Sequence, residues 1–223
     1  MGSWKRTWSL NISLGVKKRL EAEYEGVKVQ LSRSTDVFLE LSERTNAANK
    51  AGADILVSIH CNGAGGEGGF ETFRYTSAST ASRSLQNVIH TEIMSALKPY
   101  NVRDRGQKTK NLHMCRESRM PAVLTENLFI GVATDAAKIK KAEVIDAIIA
   151  GHVLGIAKFL GLKKKGNMDT VADSVNVVVN GKQIKGGKLQ NGVIHVPLRN
   201  VGQALGATVS WDNTSKTAKL DTN

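Results

Sequence analysis

The sequence predicts an α/β domain with a mostly parallel sheet flanked by helices, followed by a small C-terminal α+β module. Residues 53–62 and 121–126 are short, almost continuously apolar runs, as in strands covered on both faces of a parallel sheet. Helical patterns lie between the predicted strands, as parallel connections require. A lysine- and glycine-containing break at residues 163–167 separates this part from a tail rich in β-branched residues and turn signals.

The helices follow from apolar residues that recur on one face. Trp8, Ile12, Val16 and Leu20 are spaced four residues apart, which is typical of an amphipathic helix. In the last helix, Gly151 and Gly155 would permit close packing against a neighbour. The predicted helices are residues 8–24, 42–51, 80–97 and 135–160.

The strands follow from alternation or from continuous apolar runs. Residues 27–32 alternate cleanly, and residues 70–75 follow a glycine-rich loop. Residues 101–119 are irregular and basic, and could line a cleft for an anionic substrate. The predicted strands of the larger domain are residues 27–32, 53–62, 70–75 and 121–126.

The domain boundaries follow from the change in amino-acid composition near residue 163. We predict a larger domain over residues 1–162, a linker over 163–174 and a small module over 175–223. Asn180-Gly181 is a strong hairpin signal within that module. Its other predicted elements are strands at 175–179 and 192–196, a helix at 199–205, and a closing hairpin of residues 208–211 and 218–220.

The composition of the chain limits the classes of binding partner that we expect. The 223-residue chain has a net charge of +11, which suits a polyanion such as nucleic acid or a bacterial cell-wall polymer. Aromatic residues make up only 5% and no nucleic-acid-binding motif is visible, so we expect no nucleic-acid partner. No apolar run reaches membrane-spanning length, and residues 1–20 lack the apolar core of a signal peptide. Cys61 and Cys115 form no disulfide framework and are expected to be reduced.

Two strands end on side chains suited to chemistry. His60 closes residues 53–60, and Glu126 closes residues 121–126. Because the carboxyl ends of parallel strands carry the sites of open α/β sheets, His60 is either a metal ligand or a histidine that caps its strand. Glu126 suits a general base for a metal-bound water. A catalytic zinc needs three ligands and a water, so these two groups do not complete a site.

Other histidines and cysteines of the chain are candidates for the missing ligands. His113 and Cys115 fall in a run interpreted as a strand, where alternation would place both on one face. They could replace a ligand there, but a core or loop role is favoured. His90 and His152 lie within predicted helices and are interpreted as structural or surface residues.

Four motifs resemble the zinc-dependent N-acetylmuramoyl-L-alanine amidases of cell-wall hydrolases and phage endolysins. They are residues 41–49 (LSERTNAAN), 58–62 (SIHCN), 69–72 (GFET) and 121–130 (PAVLTENLFI), and the likeness extends over residues 8–162. The resemblance implies hydrolysis of the amide between the lactyl group of N-acetylmuramic acid and the first L-alanine of peptidoglycan. It also implies that His60 binds zinc, that zinc polarises the carbonyl and activates water, and that Glu126 passes the proton to the leaving amine.

The tail resembles the small module named for the N-terminal domain of copper amine oxidases. The likeness is carried by residues 175–182 (VNVVVNGK), 195–199 (HVPLR), 204–207 (ALGA) and 209–212 (VSWD). Attached to an amidase, such a module implies targeting to peptidoglycan or anionic wall polymers. The implied location is extracellular, at the cell wall, after release.

The sequence departs from the family at its beginning. The family opens with a strand that ends in a histidine and then a glutamate, both zinc ligands, whereas this chain starts after that strand and has Lys5 at the glutamate position. Losing about four buried aliphatic side chains at roughly 1.5–3 kcal/mol each should destabilise the domain. A single-base frame shift near Thr7 would explain both losses, and the upstream DNA tests that hypothesis. The alternative is an inactive peptidoglycan-binding relative.

Overall fold

The computed structural model describes residues 2–165, 173–190 and 193–222, without the side chains of residues 2–6, 173, 174 and 190. The side chain of Lys5 and residues 166–172 of the expected linker lie outside the described residues. The chain forms two compact units, residues 1–164 and residues 165–223. None of the helices in the described ranges is long and apolar enough to cross a membrane.

The first unit alternates helices and strands. Its elements are α1 (Gly2–Glu23), α2 (Leu41–Ala51), β1 (Leu56–Asn62), β2 (Phe70–Arg74), α3 (Thr80–Leu97), a 3₁₀ turn (Lys98–Tyr100), β3 (Asp104–Thr109), α4 (His113–Arg116), β4 (Ala122–Phe129), α5 (Ala133–Lys138) and α6 (Ala142–Leu160). The predicted bounds of residues 80–97 are confirmed without change, since Ser79 caps α3 by accepting a hydrogen bond from the Ser82 N–H.

The four strands form one mixed sheet in the order β1-β4-β2-β3. The pairs β1/β4 and β2/β3 are parallel, and β2/β4 is antiparallel. Helix α6 packs against α1 and α3, and α1 and α3 also pack against the sheet. The predicted α/β fold with a mostly parallel sheet is therefore confirmed. In the described part of the chain β1 pairs only with β4, so it lies at one edge of the sheet.

Two glycines of α6 allow close packing against α3, as predicted. A Cβ atom on Gly151 would lie 2.5 Å from the Ile93 Cα, and one on Gly155 would lie 2.9 Å from the Ile89 Cα. Both distances are shorter than real contacts allow, and the opposing atoms belong to backbone. The helices can approach this closely only because those positions carry no side chain.

Several predictions of secondary structure are wrong. Residues 27–32 alternate in burial but form no strand, because no described strand is hydrogen-bonded to them. Residues 101–119, expected to be irregular, contain β3 and α4. The single helix expected over 135–160 is two helices, α5 and α6, separated at residues 139–141.

The second unit is a small arrangement of hairpins around one helix. Asn180 and Gly181 have φ angles of 50° and 76°, which form the tight two-residue turn that the sequence predicted. The elements are β5 (Asp173–Ser174), β6 (Val177–Val179), β7 (Lys182–Ile184), β8 (Lys188–Gln190), β9 (Val193–His195), α7 (Leu198–Ala204), β10 (Thr208–Asp212) and β11 (Thr217–Asp221).

Candidate functional site

The two predicted site residues lie side by side. In the parallel pair β1/β4, His60 is the register partner of Glu126. Residues that are partners in a sheet direct their side chains to the same face. Glu126 is also the one residue of β4 that is not fully buried, so it connects a buried strand with solvent.

A third side chain continues this row. In the antiparallel pair β2/β4, Glu71 is the partner of Glu126, so His60, Glu126 and Glu71 stand in one line across three strands. Arg105 Nε donates to Glu71 Oε2 at 3.0 Å, and Lys108 Nζ donates to the same oxygen at 2.5 Å. Burial alone would raise the pKa of Glu71, but these two cations outweigh it and hold the pKa below its usual value.

Glu71 lies in the GFET motif, to which the sequence alone assigns no role. The signal available was an acidic residue directly after a phenylalanine in a predicted strand, and a buried position tolerates such a residue only when cations pair with it. Its partners lie 34 and 37 residues away in the chain, so no local spacing reveals them.

His60 is in its neutral form at neutral pH. Burial, together with the charges of Arg44 and Arg33, lowers its pKa to about 4. The Nε2 atom lies 3.0 Å from Ser58 Oγ. A neutral imidazole is the form that can bind a metal or accept a proton.

A buried hydrogen-bond network connects the strands that carry His60 and Glu126. His152 Nδ1–H donates to the Ile148 carbonyl at 2.8 Å, which leaves Nε2 to accept from Thr125 Oγ1 at 3.1 Å. Asn127 Nδ2 donates both to Thr125 Oγ1 at 3.0 Å and to the His60 carbonyl at 2.9 Å. Helix α6 is thereby connected through β4 to the end of β1, and His152 is structural, as interpreted.

A buried carboxylate fixes the loops beside the row. Asp135, only 3% exposed, accepts from the Gly69 N–H at 2.6 Å and from the Phe129 N–H at 2.9 Å. Between Glu126 and Phe129 the chain inserts a bulge, in which Leu128 has a left-handed φ of 69°. Backbone strain of this kind in a non-glycine residue concentrates at functional sites.

The residues present do not fit a complete zinc site. Among the side chains that the structure describes, no three of His, Cys, Asp and Glu are grouped closely enough to hold a metal ion. Glu71 is engaged by Arg105 and Lys108. Burial raises the pKa of the neighbouring Cys61 thiol to about 12. His60 is the described imidazole beside Glu126, and the described residues here do not complete the three ligands of a catalytic zinc.

His113 and Cys115 do not share a strand face, because residues 113–116 form the short helix α4. His113 Nε2 lies 3.2 Å from Thr45 Oγ1, and the Cys115 thiol donates to the Phe73 carbonyl at 3.7 Å. His90, also structural, contacts Thr72 at 3.1 Å and Asp104 at 2.9 Å. The strand interpretation of this run was wrong, since a helix separates residues two apart by more than a right angle.

Comparison with known families matches both parts of the chain. The profile of a family described as N-acetylmuramoyl-L-alanine amidase matches residues 5–158. A second profile, described as copper amine oxidase N-terminal domain, matches residues 178–223.

Curated relatives match the first part of the chain. The sporulation-specific N-acetylmuramoyl-L-alanine amidase of Bacillus subtilis is 43% identical over 163 residues, which cover 73% of this chain and 62% of the relative. The endolysin of Bacillus phage SPP1 is 47% identical over 158 residues, which cover 70% of this chain and 58% of the relative. The chain thus spans about three fifths of the length of these relatives.

Solved structures agree on the fold. The catalytic domain of CwlV, an N-acetylmuramoyl-L-alanine amidase from Bacillus (Paenibacillus) polymyxa, superposes with a TM-score of 0.66 at 32% identity, covering 71% of this chain and 86% of that one. An N-acetylmuramoyl-L-alanine amidase from Clostridium difficile 630 gives a TM-score of 0.67 at 31% identity, covering 70% and 84% respectively.

Proposed function

This chain belongs to the N-acetylmuramoyl-L-alanine amidase family, and from that premise we propose that it hydrolyses the amide between N-acetylmuramic acid and L-alanine in peptidoglycan. The observation that carries the proposal is the register pairing of His60 with Glu126 at the one point where β4 reaches solvent. A partly exposed carboxylate on an otherwise buried strand is well placed to exchange protons with a bound amide.

In this proposal Glu126 is the proton carrier. Hydrolysis adds water to the amide carbonyl, breaks the C–N bond and releases the amine of L-alanine. The Glu126 carboxylate accepts the proton that the attacking water loses, and then donates it to the departing nitrogen. The buried network that begins at His152 holds β1 and β4 in register, and so keeps Glu126 beside His60.

Zinc is the cofactor that membership of this family implies, and it would supply the electrophile at the carbonyl oxygen. His60 is the residue we propose as a ligand. The described side chains supply no further pair of ligands beside it, so they do not hold a catalytic zinc by themselves.

The C-terminal module also has a role in the proposed function. We assign the catalytic role to residues 1–162 and cell-wall targeting to residues 175–223, with residues 163–174 as a linker. The net charge of +11 supports association with anionic wall polymers outside the cell.

A wall-digestion assay tests the proposal. Purified protein is incubated with Bacillus cell walls, and new L-alanine amino termini are quantified together with protein-bound zinc. We expect new amino termini from the native chain and a loss of about a hundredfold or more in Glu126→Gln, in the range typical of a general acid–base group. Glu143→Gln is the matched control, since Glu143 is exposed on α6. If Glu126→Gln and Glu143→Gln digest walls equally well, Glu126 does not have the assigned role.

A second candidate function is peptidoglycan binding without cleavage. One observation favours it, namely that the described residues place a single imidazole, and no complete ligand set, at the site. Co-sedimentation with walls, in the absence of both new amino termini and stoichiometric zinc, identifies this function and excludes hydrolysis.

A further inference from the structure

Two cations lie beside the proposed proton carrier. Glu71, the register partner of Glu126, accepts hydrogen bonds from Arg105 Nε at 3.0 Å and from Lys108 Nζ at 2.5 Å. The Glu71 side chain is only 5% exposed, whereas that of Arg105 is 24% and that of Lys108 is 40% exposed. The acid is therefore buried, while both cations reach solvent. Glu71 neutralises one of the two positive charges, so Arg105 and Lys108, here called the cation pair, retain an excess of one.

Arg105 is held in place by three contacts. Besides its bond to Glu71, its Nη1 donates to the Gly68 carbonyl at 3.2 Å, and its guanidinium lies 4.5 Å from the centre of the Phe129 ring. Phe129 is itself fixed, since its N–H donates to the buried Asp135. These contacts use two of the five N–H donors of a guanidinium. A cation fixed in this way loses little conformational freedom when an anion binds.

Lys108 is anchored through its backbone. Gln86 Nε2 donates to the Lys108 carbonyl at 2.9 Å and to the Thr72 carbonyl at 3.0 Å, which fixes β3 against β2. The Lys108 ammonium has three donors, of which Glu71 takes one. Within the described part of the chain, both cations therefore keep hydrogen-bond donors for a further anion.

The order of the strands gives the site a direction. His60, Glu126 and Glu71 lie on β1, β4 and β2, and the cation pair lies on β3 beyond them. In the proposed function the amide carbonyl faces His60, and Glu126 serves the departing nitrogen. The carbonyl belongs to the lactyl group and the nitrogen to L-alanine. The stem peptide therefore extends from Glu126 toward the cation pair.

Distance indicates which part of the stem peptide meets the cation pair. Neighbouring strands lie about 4.8 Å apart, so side chains of β2 and β3 meet a substrate about 5–10 Å beyond Glu126. Consecutive Cα atoms of a peptide are about 3.8 Å apart, which places a group on the residue after L-alanine within that range. Hydrogen bonds between cations and carboxylates are among the stronger ones in proteins. The group that fits is a carboxylate on the residue after L-alanine.

We propose that the cation pair binds a free carboxylate on the residue that follows L-alanine in the stem peptide, an inference that rests on the proposed function for the direction of the substrate. Arg105 and Lys108 take no part in bond cleavage. They are positioning residues that hold the stem peptide with its amide nitrogen at Glu126. Amidation of the same carboxylate removes its charge, so the chain should select stem peptides that keep the carboxylate over those in which it is amidated.

The released stem peptide tests this recognition without hydrolysis. The probe is L-Ala-γ-D-Glu-L-Lys with an amidated C-terminus, in which the glutamate keeps a free α-carboxylate. The control peptide carries an amide in place of that carboxylate. Each is titrated into the nitrogen-15-labelled full chain, and backbone amide shifts give the dissociation constant. We expect the carboxylate probe to bind about fivefold to tenfold more tightly at low ionic strength, with a smaller difference in added salt because the cations are partly exposed.

Variants of Lys108 separate recognition from a structural role. Lys108→Gln should weaken binding of the carboxylate probe about fivefold and leave binding of the amide control unchanged. Lys108→Arg keeps the charge and should restore the preference for the carboxylate. Loss of fold alone would weaken binding of both peptides equally.

The matched control is Lys158→Gln. Lys158 is paired with Glu92 at 2.9 Å, so this substitution also removes one ion-paired lysine. Lys158 lies on α6, which contacts β4 through Thr125, the residue directly before Glu126. Successive side chains of a strand point to opposite faces, so α6 covers the face of the sheet opposite to Glu126. Lys158→Gln should leave binding of both peptides unchanged.

The outcomes distinguish this inference from the proposed function. Equal binding of the two peptides to the native chain, binding of neither, or an undiminished preference in a folded Lys108→Gln variant would overturn it. The comparison of the two peptides on the native chain does not depend on the folding of any variant. Selective binding by a chain that releases no new L-alanine amino termini from walls supports this inference and counts against hydrolysis. Wall digestion without selective binding supports hydrolysis and overturns this inference.

Discussion

His152 gives the sharpest prediction of how stability depends on pH. Its side chain is fully buried, and burial lowers its pKa to about 4 despite the hydrogen bond to the Ile148 carbonyl. In the unfolded chain the pKa of a histidine is about 6.5. Below that pH, His152 is protonated in the unfolded chain but stays neutral in the folded chain. The free energy of unfolding therefore falls as pH falls. His152 costs no stability above about pH 6.5, and the loss of unfolding free energy reaches its full size once pH passes below the folded pKa.

The size of the effect follows from the two pKa values. Between neutral pH and pH 5.5, His152 removes about 1 kcal/mol of unfolding free energy, and by pH 4 it removes about 3 kcal/mol. His152→Gln keeps a polar group facing Thr125 but does not titrate. The variant should be less stable than the native chain at pH 7.5, and the difference should shrink as pH falls.

Urea denaturation of both proteins at several pH values between 7.5 and 4 measures this difference. Other titrating groups, His60 among them, are present in both proteins and largely cancel in the comparison. Two unfolding free energies that change in parallel with pH would refute the reasoning, because they would mean that His152 does not resist protonation in the fold.

Two further predictions concern packing and charge. Gly151→Ala should destabilise the chain by about 1–3 kcal/mol in urea titration, because the new methyl meets the Ile93 backbone. In Gly15→Ala the new methyl meets the Ile149 side chain and no backbone, so a rotation of that side chain can relieve the contact; this variant should be neutral or stabilising because alanine favours a helix. Equal losses in the two variants would contradict this explanation. Glu71→Gln should lower the unfolding free energy by about 1–3 kcal/mol at neutral pH, since hydrogen bonds from Arg105 and Lys108 to a carboxylate are lost. The Glu71→Gln deficit should diminish in acid, where native Glu71 is itself protonated, and a deficit unchanged at low pH would argue against a charge effect.

What could be predicted from the sequence depended on local signals. Residues 80–97 carry a complete helical face and a capping serine, so the bounds of α3 were predictable. Continuous apolar runs likewise indicated β1 and β4, and the rule that strand ends meet brought His60 beside Glu126. By contrast β3 is a half-exposed edge strand of sequence DRGQKT, and such a strand has no hydrophobic pattern to detect.

The remaining errors came from interactions that no local pattern records. Residues 27–32 have the alternation of a strand, but a strand also requires a hydrogen-bonded neighbour, and in the described chain the neighbouring position is a cleft. Glu71 was not recognised as a member of the site row because its register with Glu126 and its two cations are long-range. Pairing across a sheet is decided by the whole fold.

The sequence of β1 has a consequence for how the described chain behaves in concentrated solution, since β1 lies at an edge of the described sheet. Residues 56–59 carry no charged residue and no proline, the features with which natural sheets discourage edge-to-edge association. Partly unfolded chains that expose this stretch would pair with one another and nucleate aggregates. We expect the soluble yield on refolding to fall steeply with protein concentration, and a single lysine introduced at Ser58 to act as a gatekeeper that restores it.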